Sequence, residues 1–407
     1  MSKNRKFTAL TLIFTLIAST FLAAPLEVDA RQSKKSTSKK HRVHKKSSRK
    51  GASKRKSKSK RKRATRIRAP HQLGILIQSE DGTVVQDKLS DKCFNPASAI
   101  KLLTAYGALK TFGPTHQFNT DLYMDGDLDA ANGILQGNVY IQGNDPEFGK
   151  ADSVDLLKAL ADNGVKKIEG KLIVSNSFSL YCSNSALYSG KGLSKIFRYG
   201  GGPDQSIIVV GPVEVGSAPQ SAQLVTTHQS EELRSTLKHM LSRSLNNAAE
   251  RIGSVIGGVP KLRKIAVEDI GIPEDSITIT SASGLGQNRI SPKHMMQVLK
   301  ALETELDRYN MDFQNIMPVA GIDNGTLEKR FTGESEKGSV VAKTGTLTTT
   351  DGGVSALVGV MRSQKEDLYF VIFGWHGGVH SMRKNQDVLI RQLQEARGGP
   401  RAFDYNS

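Results

Sequence analysis

Three short stretches carry residue types able to do nucleophilic chemistry. The first is Ser98-Ala99-Ile100-Lys101. Positions three apart share one helical face, so the Lys101 amine can reach the Ser98 hydroxyl. Asn95 reads as a helix N-cap and Pro96 as the first helical position, with Ala99, Leu102, Leu103, Tyr106 and Leu109 tracing an apolar face behind them. Ser98 then lies in the first turn, where unpaired backbone N–H groups and the positive helix end favour a developing anion. A lysine held in an apolar helix near a second cation has its pKa lowered, as a base requires. The pattern alone is weak, because S-x-x-K recurs at Ser235/Lys238, at Ser381/Lys384 and five times between residues 31 and 70. Only Ser98 has this context. Without it, the bland reading is a first-turn serine beside a snorkelling lysine.

The second stretch, Lys343-Thr344-Gly345 followed by Thr346, ends an expected strand over Ser339–Leu347. Strand alternation sends Lys343 and Gly345 to one face and Thr344 and Thr346 to the other, and twist near a strand end can gather a lysine and a threonine hydroxyl around one anion. Gly345 leaves room for a ligand to approach the backbone. The third, Ser244-Leu245-Asn246, lies inside a helical stretch expected over Glu231–Ile256. It supplies a hydroxyl able to relay a proton and an amide that both donates and accepts. Singly, these two read as an edge strand with a solvated lysine and as a polar helix face. In the order SxxK, SxN, KTG, the three match the signature of penicillin-recognising serine acyl-transferases.

Competing chemistries lack their residues. The chain has no G-x-S-x-G elbow, no P-loop and no dinucleotide fingerprint. No ligand-spaced Cys/His cluster occurs, and His376 and His380 flank a Gly-Gly-Val turn, so no metal and no cofactor is expected. With Trp375 the sole tryptophan, stacking platforms for single-stranded nucleic acid are unsupported.

The formal net charge of +18 over 407 residues invites a nucleic-acid reading, but its location argues otherwise. Residues 31–70 hold twenty Lys and Arg and no acid, whereas residues 71–407 hold 34 basic and 37 acidic residues, a net charge of −3. The Lys/Arg/Ser-rich segment has too little apolar surface to offset the entropy of ordering, so disorder is expected there, with anionic wall polymers or a membrane surface as its contacts. Before it, a basic Met1–Lys6, an apolar Phe7–Ala24 and a small-residue Val28-Asp29-Ala30 lay out a signal peptide over residues 1–30, or an uncleaved anchor. Either implies export to the periplasm or extracytoplasmic envelope. Cys93 and Cys182 fit an exported chain, paired or as two separate thiols.

The elements expected around these residues begin with a hairpin, Leu73–Gln78 and Thr83–Gln86, around a Ser79–Gly82 turn. The helix of Lys101 completes a first core part over 71–120. Residues 121–220 are strand-rich with glycine punctuation and read as an inserted domain. Helical periodicity returns over Glu231–Ile256 and Pro292–Leu306. The second core part, 221–407, then closes with strands Ser339–Leu347, Gly353–Met361 and Leu368–Trp375 and helix Met382–Arg397. This predicts an α+β fold, an antiparallel sheet flanked by helices with an inserted strand-rich domain.

Over residues 71–397 the chain resembles the D-alanyl-D-alanine carboxypeptidase/endopeptidase family, the low-molecular-mass class C penicillin-binding proteins. Asn95-Pro96-Ala97-Ser98 leading into Lys101-Leu102-Leu103-Thr104-Ala105 is similar to its nucleophile helix, and Gly143-Asn144-Asp145-Pro146 to its Gly-Gly-Asp-Pro turn. Ser244-Leu245-Asn246 with Ala249-Glu250, Ser283-Gly284-Leu285, Pro318-Val319-Ala320-Gly321, Gly325-Thr326-Leu327 and Ala342–Leu347 complete the match. The resemblance implies a transpeptidase-like core and a penicillin-sensitive serine carboxypeptidase or endopeptidase acting on peptidoglycan stem peptides. It makes Ser98 the nucleophile, Lys101 its base, and Ser244 with Lys343 the proton path to the leaving D-Ala. Asn246 would hold the substrate amide, and Lys343, Thr344 and Thr346 the terminal carboxylate beside Gly345. The backbone N–H groups of Ser98 and Thr346 would form the oxyanion hole, and β-lactams would be covalent inhibitors.

The chain departs from the family pattern at Leu245 and Ser281, where aspartates are usual, and around Ser175–Phe178, which lacks a substrate-contacting aspartate and tryptophan. The 142 residues between Lys101 and Ser244 are fewer than full-length members carry, which implies a missing insert subdomain. Two other readings keep the same motifs: a serine β-lactamase, which would deacylate penicillin rapidly, and a non-catalytic wall-binding scaffold working through the basic segment.

Overall fold

The computed structural model describes residues 72–202 and 205–403, so the signal or anchor and the basic segment expected over residues 1–70 lie outside the described residues. Strands β1 (Gln72–Ser79) and β2 (Val84–Lys88) pair as a hairpin, and a 3-10 turn, Ala97–Ile100, leads into α1 (Lys101–Phe112). There follow β3 (Asn119–Met124), β4 (Asp127–Asp129), β5 (Ile134–Gln136), β6 (Val139–Gly143), α2 (Lys150–Asp162), β7 (Lys167–Ile168), β8 (Leu172–Val174), α3 (Ala186–Tyr199), β9 (Ile208–Val209), β10 (Val213–Val215) and β11 (Gln223–Gln229). Helices α4 (Leu233–Arg243), α5 (Asn246–Val255), α6 (Gly258–Lys264) and α7 (Pro292–Asp307) come next. The chain closes with β12 (Val340–Leu347), β13 (Val354–Met361), β14 (Leu368–Trp375) and α8 (Val379–Glu395).

The principal sheet runs β12-β13-β14-β1-β2, antiparallel throughout. Strands β13 and β14 read as near-continuous apolar runs because both faces of the sheet are covered. Val341, Val358, Val371 and Phe373 pack on one side into a core shared with α1, α4, α5 and α7. Ala342, Leu357, Phe370 and Ile372 pack on the other with Ile390 of α8. Helix α1 is buried on every side from Lys101 to Leu109, which is why its sequence is apolar all round rather than amphipathic. This is the expected α+β core, an antiparallel sheet between helical layers.

Between α1 and α4 in the chain lies a second hydrophobic core built from two smaller sheets, β10-β8-β6-β3-β11 and β4-β5-β7-β9. Two helices belong to it as well, so this stretch is not simply strand-rich. Leu156, Leu157 and Leu160 of α2 and Leu193 and Phe197 of α3 are buried in it at helical spacing.

Two local expectations are corrected, and of the two readings left open for the cysteines the structure has separate thiols. The helix beginning at Pro96 starts instead as a 3-10 turn, with α1 opening at Lys101. The N-cap is Pro96 rather than Asn95, whose Oδ1 accepts the Ala97 N–H at 3.0 Å in a local turn while its amide donates to Gly286 O and Asp351. Ala97 accordingly sits at φ 46°. The helical stretch over Glu231–Ile256 breaks at Ser244, which adopts φ 57°, ψ 44°. No glycine or proline marks that break. Cys93 and Cys182 are both free thiols, and Cys93 donates to Ser276 O.

Candidate active site

The three motifs meet where α1, the α4–α5 break and the end of β12 converge. Lys101 Nζ lies 3.0 Å from Ser98 Oγ and donates to Asn246 Oδ1 at 2.8 Å and to the Ser283 carbonyl. Lys343 Nζ donates to Ser244 Oγ at 2.8 Å and to the Thr344 carbonyl at 2.8 Å. The two amines are fully buried, while the Ser98 and Ser244 hydroxyls are half-buried. Each of these two hydroxyls is thus backed by a buried amine.

Burial governs the electrostatics. It pulls Lys101 down to about 7, against a smaller opposing pull from the Glu250 carboxylate. Lys343 is held well below its ordinary value by burial first and by the charge of Lys101 second. A neutral amine 3.0 Å from a serine hydroxyl is positioned to take its proton.

Backbone geometry brings the pieces together. A Cβ on Gly345 would strike Pro96 O, so only glycine lets β12 pass so close under the turn that carries Ser98. On the opposite flank Gly284 sits at φ 91°, and a Cβ there would strike Ala97 O. Ser244 is in the left-handed region, at a cost of about 1–2 kcal/mol for a residue with a Cβ. That turn ends α4, aims Oγ at Lys343 and starts α5 at Asn246 two residues on. Pairing of Pro318–Ala320 covers the outer edge of β12 along Val340–Ala342 and stops there. Among the described residues the edge at Lys343–Leu347 is open, able to accept an extended peptide as a further strand.

Several contributors carried no warning in the sequence. Glu250 accepts the N–H groups of Ala282 and Ser283, fixing the loop whose Ser283 carbonyl receives Lys101. Arg383, in the first turns of α8, donates to Thr346 Oγ1 at 2.6 Å. Asp351 ties Asn95 to Arg289, with which it forms a 3.0 Å ion pair. Ser281 does local work at the position where the family favours aspartate, donating to Leu285 O and accepting from the Gly284 N–H. In the sequence Glu250 follows the S-x-N stretch with nothing to mark its role, and Arg383 and Asp351 read as ordinary surface charges. Among the described residues no three His, Cys, Asp or Glu side chains are grouped to hold a metal ion.

The sandwiched antiparallel sheet and its buried central helix are those of the penicillin-binding class of fold. The chain belongs to the D-Ala-D-Ala carboxypeptidase 3 (S13) family, whose family model matches residues 64–185 and 177–392. It is 31% identical over 129 residues to the penicillin-sensitive carboxypeptidase A of Dictyostelium discoideum, covering 30% of this chain and 23% of that protein. It is 30% identical over 178 residues to the D-alanyl-D-alanine carboxypeptidase DacB of Haemophilus influenzae, covering 40% and 36%. The matched stretches thus span well under half the length of these curated relatives. Among solved structures, a predatory endopeptidase from Bdellovibrio bacteriovorus superposes with a TM-score of 0.70 at 20% identity, over 82% of this chain and 95% of that one. Penicillin binding protein 4 of Haemophilus influenzae gives 0.65 at 21% identity, over 79% and 96%. At such identities the likeness is one of fold.

Proposed function

We propose that the protein is a serine DD-peptidase that cleaves D-Ala-D-Ala-type bonds in peptidoglycan stem peptides through an acyl-enzyme on Ser98. The observation that carries this reading is the buried Lys101 amine, drawn down to about 7 and 3.0 Å from Ser98 Oγ. Ser98 Oγ attacks the carbonyl carbon of the penultimate D-Ala and its proton passes to Lys101. The tetrahedral oxyanion is held by the N–H groups of Ser98 and Thr346, each such donor being worth about 3 kcal/mol. The C–N bond then breaks and Ser244 protonates the departing amine, the proton that Lys101 took from Ser98 returning to Ser244 by way of Lys343. Water cleaves the ester and restores the serine.

Asn246 holds the peptide amide on the acyl side. Thr344 and Thr346 take the terminal carboxylate, with the Arg383 guanidinium behind Thr346 supplying opposite charge. Penicillin would acylate the same serine. The S13 family membership supports the peptidase reading, and the export-type start of the chain fits a substrate outside the cytoplasm. The basic segment would then tether the enzyme to anionic polymers or lipid headgroups of the envelope, with salt-sensitive affinity. The test is release of D-Ala from a pentapeptide ending in D-Ala-D-Ala. Intact protein should release it, Ser98→Ala should not, and equal release by both would overturn the reading.

A further inference from the structure

Among the described residues, seven of the fourteen large apolar or aromatic side chains left exposed fall within residues 181–215 of the inserted stretch. Such a concentration exceeds the ordinary scatter of surface apolar groups and marks an interaction face. It includes a groove of about 540 Å³ beside β10, the outermost strand of its sheet. Tyr188, Lys191 and Lys195 of α3 line the groove, with Val213 of β10 and with Tyr181 from the turn before α3. The two tyrosines are 73% and 57% exposed. Tyr181 and its neighbour Cys182 both take left-handed backbone, φ 55° and 57°, at a cost of about 1–2 kcal/mol each. The turn is nonetheless fixed, because the Tyr181 N–H donates to Phe148 O at 2.8 Å and the Leu180 N–H to Ser189 Oγ at 3.0 Å.

Two further properties specify the occupant. The first is a free strand edge. Pro212 O and the Gly216 N–H bond to β8, so by strand alternation the main-chain groups of Val213 and Val215 point the other way, where no strand pairs among the described residues. The second is charge. Lys191 and Lys195 are the only charged side chains lining the groove, and neither has a carboxylate within ion-pair distance among the described residues. Helix α3 contains no acid, and Glu214 of β10 is occupied by Lys171 at 3.0 Å. A lipid surface leaves such a strand edge unsatisfied, because hydrocarbon offers it no hydrogen bonds. A glycan strand can stack on tyrosines but does not present alternating N–H and C=O groups at the spacing of a strand.

We propose that this groove docks an extended acidic segment of a second protein, which pairs as a strand with the free edge of β10. One apolar side chain of that segment packs against Tyr181 and Tyr188, and its carboxylates face Lys191 and Lys195. Three residues of β10 offer about 10 Å of edge, so the paired part is three or four residues long. No residue of the three motifs lines the groove, so the proposal stands whether or not the acyl-transfer reading holds.

The test is a selection of phage-displayed random decapeptides on the intact chain, counter-selected against the triple variant Lys191→Glu/Lys195→Glu/Val215→Pro. The variant keeps residues 31–70, so peptides held only by that basic segment are discarded. Proline at 215 removes an outward N–H from an edge strand, a position that tolerates it. Surviving peptides should carry a net negative charge and an aromatic or aliphatic residue. Made synthetically, they should bind at least about tenfold more weakly to Lys191→Glu/Lys195→Glu and to Val215→Pro than to the intact chain. Tyr188→Ala, a change at an exposed ring, should weaken them as well while leaving the unfolding midpoint unshifted. No enrichment over the variant, survivors without an acidic excess, or affinity unchanged by Val215→Pro overturns the proposal. So does tighter binding of a linear glycan-strand fragment than of any survivor. A concentration-dependent dimer that Tyr188→Ala abolishes would assign the face to a second copy of this chain and overturn it too.

Discussion

Lys343 Nζ donates to Ser244 Oγ at 2.8 Å across 99 residues of sequence. The contact exists because Ser244 takes a left-handed conformation at the end of α4 while β12 presents Lys343 on its α1-facing side. It joins two motifs that are individually uninformative, and in the proposed mechanism it is the proton path to the leaving amine. Ser244→Ala keeps the backbone and removes the relay, so acylation by a fluorescent penicillin should slow by about 10²–10⁴-fold in a stopped-flow measurement. An unchanged rate would place the relay elsewhere.

The lowered pKa of Lys101 fixes the pH profile. In the proposed mechanism its neutral form is the base, so the acylation rate should climb with pH through about 7 and level off above 8. At pH 6 the rate should lie about tenfold below the plateau. The same group acts on stability in a definite sense. Its ordinary value is 10.5, so between about 7 and 10.5 the unfolded chain binds a proton that the folded chain does not. Its contribution to stability therefore grows as pH rises through that window. A flat rate profile between pH 5.5 and 9 would contradict the assignment of Lys101 as base.

Gly345→Ala tests the close approach of β12 to the turn that carries Ser98. The added methyl meets the carbonyl oxygen of Pro96 rather than a movable side chain, so either the strand or the turn must shift. A cost of about 1–3 kcal/mol is expected in denaturant unfolding, accompanied by slower acylation. Full stability with full activity would mean that the approach is looser than the structure shows.

Asp145 lies in the turn that resembles the family's Gly-Gly-Asp-Pro, and it is buried beside Asp152 and Glu147. Burial first, then these carboxylates, push it up to about 6, despite the Glu147 N–H that its Oδ1 accepts. A carboxyl raised in the folded state favours folding at low pH, and that contribution is lost as pH rises from about 4 through about 6. Asp145→Asn should therefore stabilise the protein by about 2 kcal/mol at pH 8 and by much less at pH 4, read as the difference in unfolding midpoint. No change with pH would show that Asp145 is better solvated.

Much of the core was legible because burial leaves a simple pattern. Strands β13 and β14 are apolar on both faces and end in turns, so their bounds read almost directly, and α1 is recognisable from its apolar surround although it opens at Lys101 rather than Pro96. The break at Ser244 was not legible. A left-handed residue without glycine leaves no mark, so the periodicities of α4 and α5 run together. Helices α2 and α3 were hidden differently. They lie among strands of two to seven residues, and Gly190 and Gly192 interrupt α3, so the punctuation outweighed the helical spacing of Leu193 and Phe197. Of the candidate site, the motif residues could be named from their types and order. Their supports, Glu250, Arg383 and Asp351, act through tertiary contacts that no local spacing encodes.

The central claim is that Ser98 becomes acylated. The most direct measurement is intact-mass and peptide mass spectrometry after incubation with benzylpenicillin at pH 8. The account predicts one covalent penicilloyl adduct, located on the peptide containing Ser98 and absent from Ser98→Ala. An unmodified protein, or an adduct on any other residue, would contradict it.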